Sequence, residues 1–351
     1  MRTRPFFSCA LPAFAALLIL SSACPDSEAR RAGEEGARLY DAGDYDAALP
    51  FLESAAESGL EDGVLLYRLA YLYDRKSMPE KSLPFRQKAA PLLEKLAASE
   101  EGSLETWYYL TANYASLERV EEMRKAARQG IAKYGETPDL SGGDLFRLGR
   151  LYQFVEEGSR GAAAYRRSVA AFEKEKSPSR TLYPLALLAD ARTDVQGRQF
   201  AEALRKFRKV AEISPENAPH PFETALAHLG AGNLEEAQAG FEQVRDEALA
   251  TEAQYGADVA RRLREAGGAL TRMPDGKGLL EMDNSVLGEA ILSAAGSLRK
   301  AREDQEKGEG GAEAVRAPQQ LFFSLVGEWM LRGNPIREAA LAGGYADLIR
   351  R

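Results

Sequence analysis

Residues 43–59 read GDYDAALPFLESAAESG. Gly43 supplies a turn, and Tyr45, Ala48, Leu52 and Ala55 follow at steps of three, four and three. Those steps put all four side chains on one face of a helix. The alanines leave room there for a second helix to come close. The pattern recurs from Gly197, in GRQFAEALRKFRKVAEISPEN, with Phe200, Ala203, Phe207 and Val210. It recurs again from Gly232, in GNLEEAQAGFEQV, with Leu234, Ala237, Phe241 and Val244. A helix of this kind cannot bury its own apolar face, so several units must stack.

Other stretches supply a partner helix. LLYRLAYLYD places Leu66, Leu69, Ala70 and Tyr73 at common offsets, WYYLTANYASL places Trp107, Leu110, Thr111 and Tyr114, and LFRLGRLYQF places Leu145, Leu148, Gly149 and Tyr152. Small residues such as Gly149 admit a close neighbour, and large ones such as Tyr152 fill the gap to the next pair. The two kinds of segment resemble the first and second helices of a tetratricopeptide (TPR) repeat. The resemblance implies an all-α fold, a right-handed superhelical solenoid of antiparallel helix pairs. It further implies a concave groove, lined by the first helices, that holds a partner's extended peptide or helix. Carried onto this sequence, the groove positions are Tyr71, Asp74 and Arg75, then Ala112 and Ser116, then Arg150, Gln153 and Phe154. One turn earlier come Tyr67, Tyr108 and Phe146, and Tyr67 and Tyr108 suit packing between repeats equally well.

About six such pairs fit between residues 29 and 265. The small residue of the second helix falls at Ala48, Ser82, Ala162, Ala203 and Ala237, with a blurred third repeat near Met123. Loops at 97–103, 135–143 and 190–198 absorb the uneven spacing. Residues 266–351 read as a helical cap. GGALTRMPDGKGLLEMDN has the glycine, proline and aspartate content of a loop. Asn284 is placed to cap a helix to about Glu306, with Val286, Leu287, Ala290, Ile291, Ala294 and Leu298 on one face. A strongly apolar helix, a turn at Gly333-Asn334-Pro335 and a final helix complete the chain.

The N-terminus has a different character. Arg2 and Arg4 precede an apolar run from Phe6 to Leu20, then Ser21, Ser22, Ala23 and Cys24. That is the plan of a secretory signal over residues 1–23, too short to span a bilayer comfortably. Ser21-Ser22-Ala23-Cys24 resembles a bacterial lipobox, which implies a diacylglycerol on Cys24 and a short tether over 24–28. The pattern departs from the family at Ser21, where a leucine is usual, and ordinary cleavage before Cys24 fits as well. Cys9 would leave with the leader, so the mature chain keeps Cys24 alone and no internal disulfide. Pro25 and Asp26 after it favour the outer over the inner membrane.

Losing the leader's two basic residues and no acids takes the net charge from −7 to −9. An acidic chain is a poor partner for nucleic acid, whose affinity comes from neutralised phosphates. The basic run Arg205, Lys206, Arg208, Lys209 reads as one solvated helix face. His220 and His228 are eight residues apart, without cysteine partners, so no metal site is expected. Gly276-Lys277 is followed by Gly278, which breaks the phosphate-loop pattern. No Gly-x-Ser-x-Gly elbow occurs. With no cofactor or catalytic constellation in view, the sequence points to a non-enzymatic scaffold. The alternatives are a soluble periplasmic protein of the same kind, or a ligand-binding or enzymatic activity beyond residue 266.

Overall fold

The computed structural model describes residues 25–350. The leader over 1–23 and the lipidation candidate Cys24 lie outside the described residues. Residues 25–28 of the expected tether form the first turn of α1. The described residues are helical throughout, apart from connecting segments and one antiparallel bridge between Arg272 and Gly278. They fall into two compact units divided after Leu92.

The first unit holds α1 (Pro25–Ala42), α2 (Tyr45–Glu57), α3 (Gly63–Arg75) and the first turns of α4 (Pro79–Ala98). Ala48, Leu52 and Ala55 of α2 are fully buried, as are Leu69 and Ala70 of α3. Gly36 of α1 lies so close to Leu52 that a Cβ would come within 2.7 Å of it. Asp62 caps α3 by accepting from the amides of Val64 and Leu65.

The second unit takes the rest of α4 and then runs α5 (Leu104–Ser116), α6 (Val120–Tyr134), α7 (Gly142–Phe154), α8 (Gly158–Phe172), α9 (Leu182–Gln196), α10 (Phe200–Ile213), α11 (Pro221–Ala231), α12 (Leu234–Glu242) and α13 (Ala250–Glu265). The C-terminal helices are α14 (Asn284–Glu306), α15 (Ala312–Leu331), α16 (Ile336–Ala342) and α17 (Ala346–Arg350). Consecutive helices from α5 to α13 pack side by side; Phe200 and Leu234 are half-buried, and most other core positions read from the sequence are buried. Phe207, Val210, Phe241, Leu110, Leu148 and Tyr152 are among them.

One backbone device closes every pair from α1/α2 to α11/α12. The first or second residue after the first helix is left-handed: Gly43, Ser77, Glu118, Glu156, Arg198 and Gly232, with φ from 56° to 82°. The next amide then reaches back five residues, as in Asp44 to Leu39, Met78 to Tyr73 and Gln199 to Asp194, over 2.7–3.0 Å. This is a Schellman-type helix end, which satisfies carbonyls that the helix terminus would leave open. Four residues after that amide come Ala48, Ser82, Met123, Gly161, Ala203 and Ala237. The repeat position in α8 is therefore Gly161, one residue before the expected Ala162. In the fifth pair the left-handed residue is Arg198 and not Gly197, whose φ is −79°.

Two polar stretches fold differently from the sequence expectation. Residues 190–196 continue α9 instead of forming a loop; the slack lies at 173–181. Lys206 leaves the solvated basic face and is 7% exposed, between Asp190 and Asp194, each 1% exposed. Its ammonium donates to Asp190 over 2.6 Å and to Asp194 over 2.5 Å. Burial pushes the Asp194 carboxyl above its ordinary range despite the lysine. For Lys206, burial opposes the charge, but the two carboxylates outweigh it and hold the ammonium above its usual value.

The C-terminal helices share one core with α11–α13. Glu328 of α15 is buried and pairs with Arg198 and with Arg332, whose Nε donates over 2.8 Å. Arg332 also donates to the carbonyls of Met282 and Leu279, pinning the preceding loop. Glu252 of α13 accepts from the amides of Ile336 and Arg337 and so caps α16. The cap of α14 is Asp283, which accepts from the Val286 amide, one residue before the expected Asn284. Val286 is exposed and not part of the apolar face. The final helix breaks in two at Gly343-Gly344.

Ser77→Gly and Glu118→Gly should each stabilise the protein by about 0.5–1 kcal/mol, because a side chain at positive φ is strained there. A loss of stability in urea unfolding would contradict the turn assignment. Lys206→Met should cost about 3–5 kcal/mol at neutral pH by stranding two buried carboxylates. The raised Asp194 takes up its proton at higher pH in the native state than in the unfolded chain. Acidification therefore favours the native form, and the deficit should shrink as pH falls through that range.

Candidate partner-binding surfaces

In the first unit, Tyr71 and Arg75 of α3 lie beside Tyr40 of α1 and Tyr45 of α2. The three rings meet edge-on, with centroids 5.3 Å (Tyr40–Tyr45), 5.9 Å (Tyr40–Tyr71) and 6.1 Å (Tyr45–Tyr71) apart. The exposed Arg75 guanidinium sits 4.7 Å from the Tyr45 centroid and 6.0 Å from that of Tyr71. Such a cation over aromatic faces is held without a carboxylate. Asp74, its side chain 37% exposed, serves as counterion to Arg86, which is 6% exposed. Tyr67 is 4% exposed and lies beneath the same Arg86, 5.6 Å from its centroid, so it is a core residue and not a groove residue.

In the second unit, Arg150, Gln153 and Phe154 come together on α7. Arg150 Nη1 donates to Gln153 Oε1 over 2.9 Å, and its guanidinium lies 5.5 Å from the Phe154 centroid. On α5, Tyr108 and Ala112 are half-buried, and Ser116 is exposed with its hydroxyl turned back to the Ala112 carbonyl. Phe146 is 5% exposed and packs on Tyr165, centroid to centroid 5.9 Å; it too belongs to the core.

Several neighbours were not foreseen. Arg147 of α7 pairs with Glu105 of α5 and, at 3.3 Å, with Asp144. Arg192 of α9 makes a bidentate bond to Glu223 of α11, closest approach 2.8 Å. The ring of Tyr165 on α8 fills the space left by Gly149, where a Cβ would lie 2.5 Å from it. The Arg-x-x-Arg spacing of Arg147 and Arg150 on α7 is the signal that could have marked Arg147. Tyr165 carried none, because the sequence pattern sets the repeat position one residue late.

A cleft of about 460 Å³ opens between α10, α11 and α12, lined by Phe207, Arg208, Pro221, His228, Glu236 and Gly240 among others. Burial, with Arg208 adding, holds the His228 imidazole below its usual value. His220 caps α11, its Nδ1 accepting from the Phe222 amide over 3.2 Å. Among the described residues, no cluster of three or more His, Cys, Asp or Glu is placed to hold a metal. No described helix is long and apolar enough to cross a membrane.

No family model matches the chain, and no curated protein is similar to it at a significant level. Among solved structures it is similar to a chain of the APC/C hetero-tetramer Cut9-Hcn1, at 11% identity and a TM-score of 0.48, over 66% of this chain and 43% of that one. It thus spans less than half the length of that relative. It is similar to a thermophilic TPR protein in Thermus thermophilus, at 20% identity and a TM-score of 0.40, over 57% and 99%. It is similar also to YrrB, a TPR protein with an unusual peptide-binding site, at 19% identity and a TM-score of 0.33, over 58% and 97%.

Asp74 and Arg75 should separate cleanly by mutation. Asp74→Ala takes the carboxylate from the buried Arg86 guanidinium, which keeps its bond to the Ser82 hydroxyl, and should cost about 1–3 kcal/mol. Arg75→Ala at the surface should stay within about 0.5 kcal/mol. Equal losses in thermal unfolding would place both residues in the core.

Proposed function

We propose that this protein is a non-enzymatic scaffold that binds a partner peptide or helix on the first-helix faces of its stacked pairs. The observation that carries this reading is the pair of arginine–aromatic surfaces. Arg75 rests on Tyr45 and Tyr71, and Arg150 on Phe154, in positions the core does not need. Tyrosine and arginine dominate binding hot spots because they join large contact area to directional donors. The C-terminal region is a weaker candidate for activity. Its buried Glu328, together with Arg332 and with Glu252 of the adjoining α13, is spent on ion pairs and caps that hold the helices.

The scaffold acts in the envelope of a bacterial cell, held by a lipid on Cys24 after cleavage behind residue 23, and assists assembly there. The leader-like run before Cys24, and the lone cysteine of the mature chain, support the anchor. Pro25 and Asp26 favour the outer membrane.

A photoreactive residue at position 71 or 150 should trap one dominant protein in source cells. The same residue at exposed Lys125 on the second helix α6 should not. Equal capture at all three would sink the groove assignment. Cys24→Ser should move the protein from the membrane to the soluble fraction, and unchanged membrane association would rule out the lipid.

A further inference from the structure

The long C-terminal helix α14 has α15 as its main packing partner, and its buried residues Leu287, Ile291, Ala294 and Leu298 share one face. The opposite face is open. Glu289, Ser293, Gly296 and Lys300 follow one another there at steps of four, three and four, in one line along the helix, and all four are exposed. Leu292 borders that line and is 48% exposed. Beside it runs α16, whose Leu341 is 61% exposed. Gly343, at the end of α16, approaches Leu292 so closely that a Cβ would come within 2.6 Å of it.

Two features of this face have no explanation within one chain. Glycine inside a helix is a poor helix former, and elsewhere a neighbour accounts for it. A Cβ at Gly149 would lie 2.5 Å from Tyr165, and one at Gly256 would lie 2.8 Å from Phe241. At Gly296 nothing lies within 4 Å of that point. Glu289 and Lys300, of opposite sign, form no ion pair with another described residue. They stand about 16 Å apart along the helix axis, too far to pair with each other.

We propose that this face of α14 is a self-association surface, on which a second copy of the chain packs antiparallel about a twofold axis between residues 294 and 295. Positions 289 and 300 are equidistant from that point, and so are 293 and 296. The twofold therefore sets Glu289 of each copy against Lys300 of the other, twice over. It crosses the two helices at Ser293 and Gly296, where small residues let the backbones approach. It also brings the Leu292 side chains of both copies to the same edge and takes apolar surface there out of water. Copies of an acidic chain repel one another, so a contact between them must carry its own complementary charge, and this face does. The proposal does not depend on the scaffold reading.

The test is sedimentation equilibrium on the mature chain carrying Cys24→Ser, so that neither lipid nor thiol can join copies. The protein should show a reversible monomer–dimer equilibrium. Glu289→Lys and Lys300→Glu should each weaken the dimer about tenfold or more, since each turns two attractive pairs into two repulsive ones. The two single variants, mixed, should form a heterodimer as tight as the unsubstituted dimer, because every facing pair is again opposite in charge. The double variant Glu289→Lys/Lys300→Glu should self-associate in the same way. Lys125→Glu on α6 should leave the dimer unchanged. These side chains are exposed, so the unfolding midpoints should stay where they are. A protein that stays monomeric at every concentration would overturn the proposal. So would a dimer indifferent to both single swaps, or one that both swaps weaken and neither mixing nor the double variant restores.

Discussion

The fold depends on one backbone hydrogen bond made six times. Each first helix ends in a left-handed residue, and the following amide reaches back five positions. That bond sets where the second helix starts and which of its residues meets the first. Alanine, serine, methionine or glycine stands at that meeting point in each pair. The bulky side chains four residues on fill the space beyond it; Tyr165 over Gly149 is the tightest case. Side-chain burial then follows from a backbone constraint and is not independent of it.

Only two of the six turns place glycine at the left-handed position. Ser77, Glu118, Glu156 and Arg198 hold it instead, at a conformational cost that the packing of the pair must offset. A glycine at or beside that position made the repeats at Gly43, Gly197 and Gly232 legible, and its absence left the one near Met123 blurred. A turn glycine announces the backbone directly, whereas glutamate there looks like ordinary surface. The one-residue error in α8 has the same root: Gly161 and Ala162 are both small, and no turn glycine chose between them.

The buried charges were the other blind spot. Asp190, Asp194 and Lys206 each look like solvated polar residues when read singly. Only their convergence between α9 and α10 makes burial tolerable, and convergence over twelve to sixteen residues has no period to detect. The same holds for the surfaces. Tyr71, Arg75, Arg150, Gln153 and Phe154 were carried over from the repeat that the sequence resembles, each from within a single helix. Tyr40 and Tyr45, which complete the first cluster, come from other helices. Tyr67 and Phe146 sit one turn too early, where the side chain leans over the preceding turn and into the neighbour.

The link between Arg198 and Glu328 carries a consequence for how the chain assembles. The helix pairs close through bonds five residues long, and each pair needs only its neighbours. Arg198 and Glu328 are 130 residues apart, and Glu252 is separated from the amides it caps by 84 and 85. Loop closure over such spans must be met before the contacts return anything, which slows folding. Sequence separation therefore favours early formation of the pairs and later docking of the C-terminal helices. A chain emerging from its N-terminus meets that requirement in the right sequence. A truncation before Glu328 would leave the α11–α13 core open, with Arg198 facing no carboxylate from α15.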